Sequence, residues 1–138
     1  RIKAQAQANA AAQRLMAIKG VGERIATAIV AYAGTGRGYR NGRHFAANLG
    51  LVPREHSSGG KQQLGGMSKR GNVYLRRLLI QGAWTVVRYA EGSDDRLSRW
   101  ARQVAARRGK HKAVVAVANK MARIMWSMLY HRTDYQAV

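Results

Sequence analysis

The chain has no cysteine, a single proline and only six Asp and Glu among its 138 residues, and no apolar run long enough to span a bilayer. Without cysteine there are neither disulfides nor cysteine-ligated zinc, so packing alone must hold the fold. The shortage of carboxylates bears on catalysis, because a pair of Mg²⁺ ions demands several oxygen ligands at close range. Glu23, Glu55, Glu91, Asp94, Asp95 and Asp134 are instead scattered along the sequence, and no complete metal site can be read from them. The missing apolar run excludes a membrane-spanning helix, and neither a secretory leader nor a membrane partner is expected. Aromatic residues amount to 7%, with one Phe, which leaves few side chains for a base-stacking surface.

What the chain has in excess is positive charge. Twenty-five Lys and Arg give a formal charge of +19, far beyond what solubility requires. The cations are spread through apolar-periodic segments and 46% of residues are hydrophobic, which describes a folded basic domain and not a disordered tail. Its electrostatic footprint is that of a nucleic-acid binder. The length suffices for one domain with a real core. Because the sequence opens at Arg1 inside an Ala/Gln-rich helical stretch, it is expected to be part of a longer chain, with 1–14 the end of a helical, coiled-coil-like arm.

Periodicity then predicts a mainly α fold. Leu15-Met16-Ala17-Ile18-Lys19-Gly20-Val21-Gly22 followed by Ile25, Ala28 and Ile29 reads as a helix-hairpin-helix over about 15–31. In that motif the turn's N–H groups and the next helix N-terminus hold a phosphate without reading a base, which nominates Lys19, Gly20, Val21, Gly22 and Arg24. An ordinary tight turn between core helices is the plainer reading of one Gly-x-Gly. The glycine-rich loop from Gly34 to Gly42 is expected to stay open until a partner arrives, and Asn41 to cap a short helix carrying Phe45, Ala46 and Leu49. Val73 to Tyr89 is a strong helix with Gly71-Asn72 before it. Asp94 and Asp95 open a further helix, His111 to Tyr130 forms the last, and 132–138 is a tail.

The chemistry is expected between residues 50 and 72. Here stand the lone Pro53, the adjacent Ser57 and Ser58, the Gly59-Gly60 and Gly65-Gly66 pairs, and the cations Arg54, Lys61, Lys69 and Arg70, with Arg76 and Arg77 just beyond. Glycine pairs permit close backbone approach, and the cations can neutralise the charge of a phosphodiester under attack by a serine hydroxyl. His56 is a conceivable base, and a solvent-facing Ser-Gly turn is the plain alternative. Alternation over Lys61 to Leu64 allows a short hairpin.

The run Leu51-x-Pro53-x-x-x-x-Ser58-Gly59, followed by Gly60-Lys61, Leu64-Gly65, Ser68-Lys69-Arg70-Gly71-Asn72 and Tyr74-Leu75-Arg76-Arg77-Leu78-Leu79, resembles the C-terminal domain of insertion-sequence transposases related to the pilin-gene invertases, the bridge-RNA-guided recombinases. The upstream Lys19-Gly20-Val21-Gly22 resembles the same family's hairpin turn, with Lys19 where proline often stands. The resemblance implies a transposase C-terminal domain over 15–131 in which Ser58 is the nucleophile for phosphodiester strand exchange and Ser57 occupies a variable position. It also implies Mg²⁺ held by a DEDD set in a separate RuvC-like half, DNA and a structured guide RNA as partners, a homo-oligomer, and a bacterial cytoplasmic, nucleoid-associated location. On that reading this chain alone is catalytically incomplete. Two other readings stand beside it: a non-catalytic helix-hairpin-helix module for branched DNA, and a structural RNA-binding protein.

Overall fold

The computed structural model describes the backbone of residues 2–51 and 69–137, with side chains over 8–51 and 73–137. Among the described residues there are six helices and no strand: α1 (Ile2–Leu15), α2 (Glu23–Ala33), α3 (Gly42–Asn48), α4 (Lys69–Arg88), α5 (Arg96–Arg108) and α6 (Lys110–His131). The mainly α fold expected from periodicity is what forms. The hairpin allowed over Lys61 to Leu64 lies outside the described residues.

Helix α6 is the hub, packing against each of the other five. Its buried stripe runs Ala113, Val114, Val117, Ala118, Met121, Ala122, Met125, Trp126, Met128 and Leu129, too broad for a single neighbour. Three of these are methionines, whose unbranched side chains fill the irregular space where several helices converge. No helix among the described residues is long and apolar enough to cross a membrane.

Local chemistry sets the helix ends. Asn41 caps α3 by accepting the His44 N–H at 2.8 Å, as its position predicts. Asp95 caps α5, accepting the Ser98 N–H at 3.1 Å and the Ser98 hydroxyl at 2.7 Å. Arg107 and Arg108 close α5 at its negative dipole end.

Three local expectations are revised. Helix α4 starts at Lys69, so Gly71 and Asn72 lie inside its first turn. Weak helix formers are tolerated there, where the N–H groups have no intrahelical acceptor in any case. The loop from Gly34 to Gly42 is folded onto α6. Trp126 Nε1 donates to the Gly36 carbonyl at 2.8 Å, and the Tyr39 ring packs edge-on against Phe45 with centroids 4.9 Å apart. Burial, followed by the charge and hydroxyl of Tyr32, pushes the Tyr39 phenol up to about 12. Third, the tail folds back: the Arg96 N–H donates to the Ala137 carbonyl at 2.8 Å, and Tyr135 packs half-buried against the core.

The turn between α1 and α2 is fixed by its contact with α4. Leu15, Ile18 and Val21 are buried, and Gly20 has φ +87°. A Cβ on Gly20 would lie 2.7 Å from the Gly82 carbonyl oxygen, and one on Gly82 would lie 2.6 Å from the Gly20 oxygen. Two glycines thus let the turn rest backbone to backbone on α4.

Candidate nucleic-acid interface

The nominated residues fall into two groups along the chain, one on and just after the serine-bearing stretch and one at the Gly20 turn. The first flanks the serine-bearing stretch. Ser58, Arg54 and Lys61 lie outside the described residues; Lys69 and Arg70 begin α4, with only their backbone described. The chain reaches this stretch through Leu51, which is 1% exposed. Its N–H donates to the Ala46 carbonyl at 3.1 Å and its own carbonyl accepts from Asn119 Nδ2 at 2.7 Å. Arg123 Nε donates to Asn119 Oδ1 at 2.7 Å, which orients the amide. A side-chain relay on the central helix therefore clamps the start of the stretch.

Arg76 secures the same place from α4. Its Nη1 donates to the Leu49 carbonyl at 3.5 Å, where α3 ends and its orphan carbonyls favour a cation. Arg77 is exposed and makes no ion pair or hydrogen bond among the described residues, so its charge is available. Of two adjacent arginines, one braces the frame and the other faces solvent.

The second group surrounds the Gly20 turn. Lys19 Nζ is turned to the Ser93 hydroxyl at 3.0 Å and to Asp95 Oδ1 at 3.7 Å. Burial raises the Asp95 carboxyl, but hydrogen bonds from the Ser98 side chain and backbone, with Lys19, hold it below its ordinary value. Val21 is core, and Gly20, part-exposed, packs on Gly82. Gly22 is exposed and caps α2 without a side-chain bond, next to exposed Glu23 and Arg24. The open part of the turn is therefore the α2 N-terminus.

A cleft of about 460 Å³ is lined by Glu23, Arg24, Thr27, Ala28 and Ala31 of α2 and by Tyr74 of α4. Tyr74, 51% exposed, stands one turn into α4, so Arg24 shares this cleft with the start of α4. Sequence reasoning missed Tyr74, Asn119 and Arg123 as parts of this surface. Asn119 and Arg123 carried a signal, being polar at i and i+4 within the apolar run of α6. Only two ion pairs form among the described residues, Lys19–Asp95 and Arg99–Asp94, so most of the cationic excess has no internal counter-charge. No three His, Cys, Asp or Glu side chains converge among the described residues, so they do not fit a Mg²⁺ site.

Comparison with known proteins gives this surface its context. Residues 12–99 match the model of the Transposase IS116/IS110/IS902 family, a span that takes in the Gly20 turn, the serine-bearing stretch and α4. A protein named probable family 20 transposase from Pseudomonas aeruginosa is 50% identical over 98% of the chain and 40% of its own length. The transposase for insertion sequence element IS1111A of Coxiella burnetii is 44% identical over 98% of the chain and 37% of its length. That for IS1328 of Yersinia enterocolitica is 43% identical over 83% of the chain and 34% of its length. The chain thus spans well under half the length of these relatives. It belongs to the IS116/IS110/IS902 family of transposases.

Proposed function

We propose that this chain is the strand-exchange portion of a DNA transposase, with Ser58 as the nucleophile. The observation that carries the reading is the family match over residues 12–99, which contains Ser58 together with both flanks of its stretch. In the proposed step the Ser58 Oγ attacks a backbone phosphorus. A serine–phosphate ester forms, the phosphorus–oxygen bond to one DNA segment breaks, and the departing hydroxyl takes up a proton. His56 is the nearest candidate in sequence to move that proton. Negative charge grows on the phosphoryl oxygens, which Arg54, Lys61, Lys69, Arg70 and Arg77 are proposed to offset. Arg24 and the Gly22 end of α2 hold a second phosphate, as the helix-hairpin-helix reading requires.

The wider assembly follows from the resemblance. A RuvC-like half would hold Mg²⁺, a structured guide RNA would select the DNA by base pairing, and a homo-oligomer would bring partner strands together. These belong to the longer protein, in which alone this portion is proposed to be active.

The test is to incubate a full-length transposase carrying this chain with Mg²⁺, its RNA and a nicked suicide DNA, then map any protein–DNA adduct by mass spectrometry. An adduct on Ser58, lost in Ser58→Ala while DNA binding persists, is expected. An adduct on Ser57 would move the nucleophile by one residue. Intact binding without any adduct would leave the non-catalytic DNA-binding module as the better reading. Affinity for duplex DNA should also fall by nearly one log unit per log unit of salt for each phosphate neutralised, a slope of roughly 0.9 per contact. A flat salt dependence would remove the basis for the proposed cationic contacts.

A further inference from the structure

A second concavity is larger than the cleft beside α2. It is a groove of about 870 Å³ between α5 and α6, on the side where Leu51 leads into the serine-bearing stretch. Sites that enclose a drug-sized ligand occupy roughly 300–1,000 Å³, so the space is adequate for an unstacked nucleotide. Its floor is apolar, made by Leu51, Val104, Val115 and Ala116, with Trp100 beside them. Val115 is 39% exposed there, an unusual place for a valine on an otherwise well-buried helix.

The rim has the opposite character. Arg107, Arg108, Lys112 and Arg123 line it with His111, and no carboxylate does. Arg107, Arg108 and Lys112 form no ion pair among the described residues. Lys120 Nζ lies 4.7 Å from the Trp100 ring centroid, outside the groove lining, and helps to hold the indole in place.

Charge complementarity requires an anionic occupant, and the apolar floor with its indole requires one that also offers a flat apolar face. Duplex DNA meets only the first demand, since its base faces are stacked inside the helix. An unpaired nucleotide meets both, with its phosphates on the rim and its base on the floor. We propose that the α5–α6 groove binds unpaired nucleotides of a single strand and guides that strand past Leu51 towards the serine-bearing stretch. This rests on the reading of the chain as a piece of a transposase, whose strand exchange must hold DNA ends out of the duplex.

The experiment uses short single strands of DNA and of RNA carrying 5-iodouracil, with a duplex of the same sequence as control. Photo-crosslinking to the chain is mapped by mass spectrometry, and affinities are read by fluorescence anisotropy. Adducts on Trp100 or His111 are expected with single strands and not with duplex. Trp100→Ala should weaken single-strand binding about tenfold, the usual loss of one base–aromatic stack. Because Trp100 also packs on the core, Val115→Glu supplies the second variant: its exposed position should spare the fold, checked by circular dichroism, while placing a carboxylate on the groove floor. Preferential loss of single-strand over duplex affinity in Val115→Glu supports the groove. Labelling by RNA alone or DNA alone would name the strand's source, and labelling by both would mean that the shared phosphate and base are read.

An unlabelled groove, or a Val115→Glu variant whose single-strand affinity is unchanged, overturns the inference while duplex binding leaves the transposase reading intact. Loss of binding to every nucleic acid overturns both. A groove that takes an acidic amphipathic peptide in preference to the oligonucleotides is a protein-docking surface, which also ends the proposal.

Discussion

Two glycines with positive φ press against α4, but against different kinds of atom. Gly20 rests on the backbone of Gly82, whereas a Cβ on Gly50, at φ +77°, would meet the tip of the Arg76 side chain at 2.8 Å. Backbone cannot yield without bending the helix, while a guanidinium at the end of a long side chain can swing aside. The Gly20 turn is thus a fixed joint. The start of the serine-bearing stretch is held instead by adjustable polar contacts from Arg76 and Asn119. Within one basic surface, the structure separates a rigid support from a retunable one.

The largest effect should come from testing the rigid joint at Gly82, and there the sign is decisive. An isolated glycine inside a helix is worse than alanine by about 1 kcal/mol, so a loosely packed site would make Gly82→Ala stabilising. The added Cβ would instead stand 2.6 Å from the Gly20 oxygen and 3.0 Å from Ile25 Cδ1. Gly82→Ala is therefore expected to destabilise by about 1–3 kcal/mol in urea denaturation, the usual cost of overpacking. A gain in stability would show that the joint is not tight.

Gly50→Ala probes the adjustable side and should do less harm. Its cost is chiefly the left-handed backbone, about 1–2 kcal/mol. Since the steric neighbour is Arg76, the double variant Gly50→Ala/Arg76→Ala should lose less than the sum of the two single losses. Strict additivity would mean that Arg76 does not constrain Gly50, and the contrast with Gly20 would fail on this side.

Asn119→Leu tests the other tether. It leaves the buried Leu51 carbonyl without its 2.7 Å donor and takes the acceptor from Arg123, a loss of about 1 kcal/mol. In the full-length transposase the same variant should lower strand-exchange rate by more than it lowers affinity for duplex DNA, because Leu51 leads into the serine-bearing stretch and the groove that Asn119 lines is proposed to take single strands and not duplex. Equal losses in both would make Asn119 a general packing residue.

These contacts also mark what the sequence could disclose. The cores of α2, α4, α5 and α6 were readable because apolar residues recur at helical spacing, the Asn41 cap because a short polar side chain stands at the right offset, and the start of α5 because two carboxylates precede it, though not which of them caps. Family resemblance singled out Ser58, which no periodicity could. What stayed hidden depends on partners far along the chain. Gly20 and Lys19 were nominated as phosphate contacts, and the sequence did not disclose that one also fits against Gly82 and the other reaches Ser93, 74 residues away. The loop after α2 looked open because its anchor, Trp126, is 90 residues downstream of Gly36. The α5–α6 groove escaped for the same reason, since its cations and apolar residues alternate on two helices and converge only when these pack.

The smallest expected effect tests whether the rigid joint has a polar part as well. Lys19 ties the Gly20 turn to Asp95, which also caps α5. Asparagine caps about as well as aspartate, so Asp95→Asn should keep the cap and remove only the charge, costing within about 1 kcal/mol at neutral pH. Because folding lowers the Asp95 pKa, its charged form contributes stability above the ordinary carboxyl value of 3.8, and that contribution is lost as pH falls through the lower folded-state value. The difference in Tm between the parent chain and Asp95→Asn should therefore be present at neutral pH and shrink towards zero on acidification into that range. A difference that holds constant with pH would mean that the carboxylate charge contributes nothing, leaving the joint to the glycine contact with α4 and the Lys19–Ser93 hydrogen bond.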